Sequence, residues 1–229
     1  MGRLIQPYRF AVAGSGGGPY AFVKSAGAAD DTSDTSMAVA LATVTAGHLI
    51  VVWAKYEGAT TTVTISDGTT SLTPRTTRAH ANSDLHGQFF YLPASVASGS
   101  VTYTATWSAA RTYKALIAFE INPTGTAVYD TEALNSGTSI AVTSGNITTA
   151  AADSVVLAGY SNYTVDIMSV RTINTVANDN NRAADNTTGA TTIRSCVWEN
   201  VFTSTFTGAA DALLPNSTSE WVCNIIAFK

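Results

Sequence analysis

Short runs of apolar and β-branched residues, separated by turn residues at intervals of about 8–14 positions, recur from about residue 20 to the end of the chain. Thr61–Ser66 shows the pattern most clearly, because Val63 and Ile65 point to one face of an extended strand and the residues between them to the other. Asp67-Gly68 follows directly and is a strong signal for a tight turn. No segment of useful length carries the apolar stripe and end caps of a helix, so the pattern predicts an all-β protein.

Strand spacing favours a single antiparallel two-sheet sandwich that takes in residues 21–229 as one domain. Leu49–Trp53 and Ala115–Phe119 are continuously apolar, which indicates central strands covered on both faces. The predicted strands lie near residues 21–26, 37–44, 48–57, 61–66, 87–92, 101–107, 113–121, 127–129, 138–143, 154–161, 167–174, 192–202 and 221–228.

Two segments of the chain resemble each other weakly. Thr43–Tyr56 and Thr148–Tyr160 both run from threonine through a turn and an apolar stretch to a tyrosine. Either two similar sheets or halves, or a chance likeness between strands rich in Thr, Ala and Val, would explain this. Residues 174–192 are rich in Asn, Asp and Thr and are interpreted as a long surface loop, because strands resume after them.

Residues 1–20 are predicted to form an extended N-terminal arm. Gly14–Pro19 is a flexible hinge, and a frayed terminus is the alternative interpretation of the whole segment. The first residues lack the basic start and apolar stretch of a signal peptide, so either the protein is assembled in a cytoplasm or a leader was replaced by Met1. The apolar residues before the hinge are candidates for docking onto a neighbouring subunit: Leu4, Ile5, Tyr8 and Phe10.

The composition restricts the classes of partner. Charged residues make up 12% of the chain, about half of the usual share, and threonine about 15%. A surface covered by Thr, Ser and Asn is typical of extracellular proteins or particle components. The net charge of −4 and the scattered basic residues argue against a nucleic-acid partner, and no run of apolar residues is long enough for a membrane span.

Three groups of ionisable residues are candidates for chemistry. Two imidazoles and a carboxylate offer metal ligands or acid–base groups in one polar loop: His80, Asp84 and His86. A glycosidase needs two carboxylates across a cleft, and three glutamates near strands are candidates: Glu57, Glu120 and Glu199. An acidic run offers oxygen ligands for a structural Ca²⁺ ion but lacks the Gly and Glu of the helix-loop-helix calcium motif: Asp30, Asp31 and Asp34. Ordinary surface polarity is the favoured interpretation of all three.

The cysteines and aromatic residues have two interpretations each. Cys196 and Cys223 fall in the last two predicted strands, where either a disulfide or two buried thiols would fit, and the missing secretion signal favours thiols. Tyr160 and Tyr163, at a strand end, are the better candidates for contact with a glycan. The tryptophans lie within predicted strands and are expected in the core: Trp53, Trp107, Trp198 and Trp221.

Three segments, Ala46–Trp53, Thr62–Gly68 and Gly99–Thr106, resemble a group of β-sandwich proteins encoded by tailed phages and related bacterial loci. The ending Glu220–Lys229 is similar to the apolar strand on which those chains close. The resemblance spans about residues 20–229 and rests on strand-and-turn patterns. It implies a jelly-roll-like virion component and no catalytic residues.

The expected function is therefore that of a non-enzymatic virion structural protein, such as a capsid decoration protein or another head or tail surface component. It would assemble in the host cytoplasm, form a homo-oligomer and contact other virion proteins, without a cofactor. A carbohydrate-binding or adhesin module, which would be extracellular or bind a host-surface glycan, is the first alternative. A glycan hydrolase is the second.

Overall fold

The computed structural model describes residues 20–58, 61–81, 84–123, 125–162, 168, 170–173, 176–177, 181–186, 194–214 and 219–229. All regular elements in these ranges are strands, which confirms the all-β prediction. The first are β1 (Tyr20–Asp30), β2 (Asp34–Val44), β3 (Leu49–Glu57), β4 (Val63–Ser66), β5 (Thr73–Pro74), β6 (Arg78–Ala79), β7 (Leu85–Leu92), β8 (Gly99–Arg111) and β9 (Lys114–Pro123). The others are β10 (Tyr129–Gly137), β11 (Ala141–Thr143), β12 (Ile147–Thr148), β13 (Ser154–Asn162), β14 (Val170–Ile173), β15 (Val176–Ala177), β16 (Asn181–Asn186), β17 (Arg194–Phe202), β18 (Thr207–Gly208), β19 (Ala210–Leu213) and β20 (Trp221–Phe228).

Strands β1 to β9 form two antiparallel sheets, which together are called the first half here. Its inner sheet has the order β1-β9-β3-β7-β5, with β6 also paired to β7, and its outer sheet has the order β2-β8-β4. Apolar residues of both sheets, such as Val39, Ile50 and Tyr103, meet in one buried cluster. Alternation along β8 places Tyr103 inside and Thr102 and Thr104 in solvent, as expected for a strand with one covered face.

Strands β10 to β20 form the second half with the same strand order. Its inner sheet is β10-β20-β13-β17-β16, and its outer layer comprises β11-β19-β14-β15 and the pair β12-β18. The central strand β13 lies between β20 and β17, as β3 lies between β9 and β7. The segments Thr43–Tyr56 and Thr148–Tyr160, which resemble each other in sequence, thus contain the equivalent central strands of two similarly built halves.

The two inner sheets pack against each other through a third apolar cluster. This cluster contains Trp53 and Phe89 of the first half together with Leu157, Val197 and Ile226 of the second. The strands thus lie in four layers rather than two. The prediction of a single two-sheet sandwich is not confirmed, because β3 and β13 each contribute side chains to a core on both of their faces.

Trp53 lies at the centre of the contact between the halves and is fully buried. Its indole Nε1 donates hydrogen bonds to the hydroxyls of Ser195, at 2.8 Å, and Ser161, at 3.2 Å. The ring lies against Gly87 and Gly159, and a Cβ at Gly159 would come within 2.5 Å of Trp53 Cε3. Since real carbon atoms do not approach so closely, both positions require glycine for space rather than for backbone freedom.

Polar contacts surround this apolar centre. Arg75 of the first half pairs with Glu132 in β10 at 3.1 Å, and its guanidinium lies 3.6 Å from the centre of the Tyr129 ring. The buried amide of Asn224 donates to the carbonyl of Gly87 at 3.1 Å. Because these groups come from different halves, they add directional contacts to an apolar core and fix how the halves are aligned.

The structure corrects one sequence-based interpretation and confirms another. Residues 174–192 contain β15 and β16, so this stretch is not simply a loop: β15 pairs with β14, and the mostly polar residues of β16 pair with β17. Cys196 and Cys223 both lie beside Tyr160 of β13, one on each neighbouring strand. Two strand spacings of about 4.8 Å exceed the reach of a disulfide, and both cysteines are free and buried.

Substituting Gly159 with alanine tests the contact at the centre. The added Cβ overlaps the Trp53 ring, so we expect Gly159→Ala to lower the free energy of unfolding by about 1–3 kcal/mol. Gly125→Ala is the matched control, because nothing lies within 4 Å of a Cβ at that position. Urea denaturation followed by tryptophan fluorescence measures both. Equal stability of the two variants would show that the halves do not pack on Trp53 as described.

Candidate functional site

Ionisable side chains gather at one end of the first half, which is called the charged end here. At this end β1, β3 and β8 finish, and β2, β7 and β9 begin. Lys114 is fully buried there and lies 3.2 Å from both Asp30 and Asp34. Its ammonium also donates to the carbonyls of Thr32 and Arg111, each at 2.6 Å. Burial acts to raise the pKa of Asp30, but hydrogen bonds from Thr32 and Lys114 outweigh it and lower that pKa.

This arrangement bears on the expectation of a calcium ion at the acidic run. Asp30 and Asp34 face the ammonium of Lys114, which supplies the positive charge that a metal ion would otherwise bring. Within the described ranges, no three His, Cys, Asp or Glu side chains come together as a metal site. The carboxylates therefore act as structural partners that join the β1–β2 turn to β9.

A second buried lysine lies at the same end. Lys55 is fully buried, and its ammonium donates to Glu57 at 2.8 Å and to the carbonyl of Tyr113 at 3.1 Å. Burial lowers the pKa of Lys55 to about 7, although the charge of Glu57 acts in the opposite direction. Tyr113 and Asp84 at this end both have positive φ angles, of 60° and 51°, so backbone strain accompanies the buried charges.

The two histidines of the predicted cluster have different partners. His86 stacks on Tyr56 with 4.7 Å between ring centroids, and its Nε2 lies 2.9 Å from the carbonyl of Gly58. Burial lowers the pKa of His86, which favours the neutral imidazole. His80 is also buried, but its Nδ1 lies 4.0 Å from Glu220 of the second half. The histidines are thus used in packing at two separate places.

Glu120 lies at the opposite end of the first half and is fully buried. Its Oε1 is 2.6 Å from His48 Nδ1 and accepts the backbone N–H of Thr45 at 2.9 Å, while Lys24 lies 3.1 Å from Oε2. Two cationic or donor side chains on one carboxylate offset the cost of burying it. The sequence signal for this group was weak, because its members are up to 96 positions apart.

The glutamates proposed as a catalytic pair do not meet across a cleft. Glu57 ends β3, while Glu120 pairs with Ile50, seven residues earlier in the same strand. At about 3.4 Å per residue, the two lie roughly 20 Å apart, beyond the separation of about 5–10 Å that glycosidases use. Glu199 is buried in β17 of the second half.

The residues predicted to contact partners are only partly described. Tyr160 is 2% exposed and packs in the core of the second half, so the expectation that its side chain is exposed is wrong. Tyr160 lies in β13, which is covered by apolar residues on both of its faces. The sequence did not predict this burial because the residue lies near the end of the strand. Tyr163 lies outside the described residues, as do the arm residues Leu4, Ile5, Tyr8 and Phe10.

Comparison with known proteins gives no relative: no family model, no curated protein and no solved structure matches the chain. In the described residues, the search for a helix long and apolar enough to cross a membrane found none. Function must therefore be argued from the arrangement of the chain's own residues.

The lowered pKa of Lys55 predicts how the free energy of unfolding depends on pH, which tests the description of the charged end. Because this pKa is about 7 in the folded protein and near 10.5 when unfolded, the unfolded chain binds more protons between these values, and stability rises with pH there. From pH 7 to pH 9, we expect wild type to gain about 2 kcal/mol relative to Lys55→Met. Urea denaturation at both pH values measures the difference.

Lys24→Met is the control for this measurement, since it removes a different ammonium and leaves Lys55 in place. It should retain the pH dependence of wild type between pH 7 and pH 9. Parallel stability curves for wild type and Lys55→Met would contradict the burial of Lys55.

Proposed function

We propose that this chain is a non-enzymatic structural protein of a phage virion surface, either a capsid decoration protein or another head or tail component. Each half is a jelly-roll-like sandwich, and the two form one rigid block. The proposal includes an N-terminal arm that docks on other virion proteins and consists of the residues before β1, which begins at Tyr20, and it includes a homo-oligomer of this chain. Assembly takes place in the host cytoplasm.

The path of the chain supports the jelly-roll assignment. From β1 through β4, and again from β7 through β9, successive strands alternate between the inner and the outer sheet of the first half. The second half repeats this path, with β10, β13, β17 and β20 inside and β11, β14 and β19 outside. Such crossing between two sheets is typical of Greek-key sandwiches, which present broad faces and short loops to their partners.

The outer face of the β2-β8-β4 sheet is the main observation that supports the proposal. Its exposed positions are uncharged and small, and they pair across strands: Ala38 lies opposite Thr104, and Thr104 opposite Ser66. Thr102 and Thr106 continue the row along β8. A face covered by hydroxyl and methyl groups carries no charge, so densely packed copies do not repel each other through it. This property suits the surface of a particle.

The ion pairs of the first half favour a structural role over catalysis. Lys114, Lys55 and Glu120 are each fully buried and held by neighbouring charges or carbonyls. Removing one partner of such a pair typically costs about 3–5 kcal/mol. Groups used in this way fix the geometry of turns and strand ends, and the candidates Glu57 and Glu120 lie too far apart for the carboxylate pair of a glycan hydrolase.

Incorporation into particles tests the proposal. Wild type and a 20–229 truncation would be expressed where the particle assembles, and gradient-purified particles would be quantified by mass spectrometry. We expect wild type in the particles, and a folded truncation that is lost from them because its arm is absent. Circular dichroism of the purified truncation is the control for folding.

Two outcomes would contradict parts of this proposal. If wild type is recovered only outside the particles, the virion assignment is rejected. If the truncation is incorporated as well as wild type, the docking role of the arm is rejected. Binding to a glycan array by wild type without incorporation would favour the carbohydrate-binding alternative.

A further inference from the structure

We propose that the free edge of β2 pairs with the same edge of a second copy of the chain. Among the described strands, β2 ends its sheet and is hydrogen-bonded to β8 on one side. An exposed edge strand presents a row of backbone donors and acceptors that another strand can pair with. Pairing would join two three-stranded outer sheets into one. The inference rests on the proposed function and names the surface of its homo-oligomer.

The second half provides an internal comparison, because it blunts the equivalent edge. There, the position of β2 is taken by β11, with three residues, and β12, with two. Residues 144–146 separate them, and Gly145 has a φ of 81°. Natural proteins interrupt edge strands in this way to prevent pairing. The first half instead keeps a strand of eleven residues, Asp34–Val44, at the same place.

The middle of β2 has the composition of a strand that accepts a partner. Between two register shifts, Ser36–Leu41 pairs regularly with β8 and contains no Lys, Arg, Pro or Gly. Charged side chains and proline on an edge are the usual devices against association, and this stretch has neither. Inward side chains such as Val39 are buried, while Ala38 and Ala40 are exposed.

Both ends of this stretch are closed by side chains. The N–H of Ser36 donates to the carboxylate of Asp34 at 3.1 Å. At the other end, the ammonium of Lys24 donates to the carbonyls of Ala42, at 2.8 Å, and Thr43, at 2.6 Å. Between the capped ends lies a short segment that includes Ala38 and Ala40, in which the strand edge remains for a partner.

The edge of β2 can pair with the same edge of a second copy, because the side chains that would then meet are small and uncharged. In an antiparallel pair about a two-fold axis, Ala38 lies opposite Ala38 of the second copy, and Ser36 opposite its Ala40. Directly opposite residues point to the same face, so small uncharged side chains meet each other on the outside. The same surface serves both copies, as an isologous dimer requires. No like charges are brought together across the pair.

Lysine at the centre of the edge tests the pairing. Ala38→Lys places two ammonium groups opposite each other in the dimer, so we expect its dissociation constant to rise about tenfold or more. Thr104→Lys is the matched control, because Thr104 lies directly opposite Ala38 in β8, is exposed on the same face and lies away from the edge. Sedimentation equilibrium of the full chain measures self-association, and circular dichroism checks the fold.

Each possible result either supports or overturns the pairing of β2 with a second copy. A wild-type and Thr104→Lys dimer together with a folded Ala38→Lys monomer would support the inference. A wild-type monomer at concentrations up to about 1 mM would overturn it, as would an Ala38→Lys dimer as stable as wild type. Loss of the dimer on deleting residues 1–19, but not with Ala38→Lys, would assign the contact to the arm and also overturn it.

The experiments can reject the edge contact and the proposed function independently of each other. A dimer broken by Ala38→Lys in a protein that never enters particles would support the edge contact and reject the virion assignment. A chain that enters particles but stays monomeric in solution, with Ala38→Lys incorporated as well as wild type, would reject the edge contact alone.

Discussion

The packing of Trp53 against Gly159 joins the two halves of the chain. A large ring from one central strand fills the space that a missing side chain leaves on the equivalent strand of the other half. Hydrogen bonds to Ser161 and Ser195 satisfy its indole N–H inside an apolar core. Because β3 and β13 are thereby covered on both faces, each half has an inner sheet that is buried and an outer sheet that faces solvent. The surfaces available to partners follow from this arrangement.

The buried charges belong to the same account. Four inner-sheet positions at strand ends carry Lys55, Glu57, Lys114 and Glu120, and each charge has a partner within about 3 Å. Such pairs contribute little net stability compared with apolar residues, but they penalise any misalignment of the strand ends. The outer β2-β8-β4 face is by contrast uncharged. Within the first half, the charges thus lie where strand ends must be aligned, and the exposed positions of the outer face carry none.

The sequence predicted the strands whose pattern depends on local burial, such as β3 and β4, and the tryptophans of the core. The likeness between Thr43–Tyr56 and Thr148–Tyr160 was compatible with two similar sheets or halves and equally with chance, and the four layers were not predicted. Periodicity shows that a strand has one covered face or two; it does not show which sheet covers it. β10 was predicted only as 127–129, because its polar residues become a strand through pairing with β20 and through contacts with Arg75. The site residues depend on long-range contacts: Glu120 with His48 and Lys24, and Lys114 with Asp30, are set by sheet register, which the sequence does not encode locally.

We infer that the core between the halves makes them one cooperative unit. Native-state hydrogen exchange at increasing urea concentrations measures it most directly, by following the slowest amides of β3 and β13. We expect both sets to exchange through the same global opening, with equal free energies and equal dependence on urea. If the amides of one half exchange through an opening that leaves the other half protected, the halves are independent sandwiches and do not form a cooperative unit.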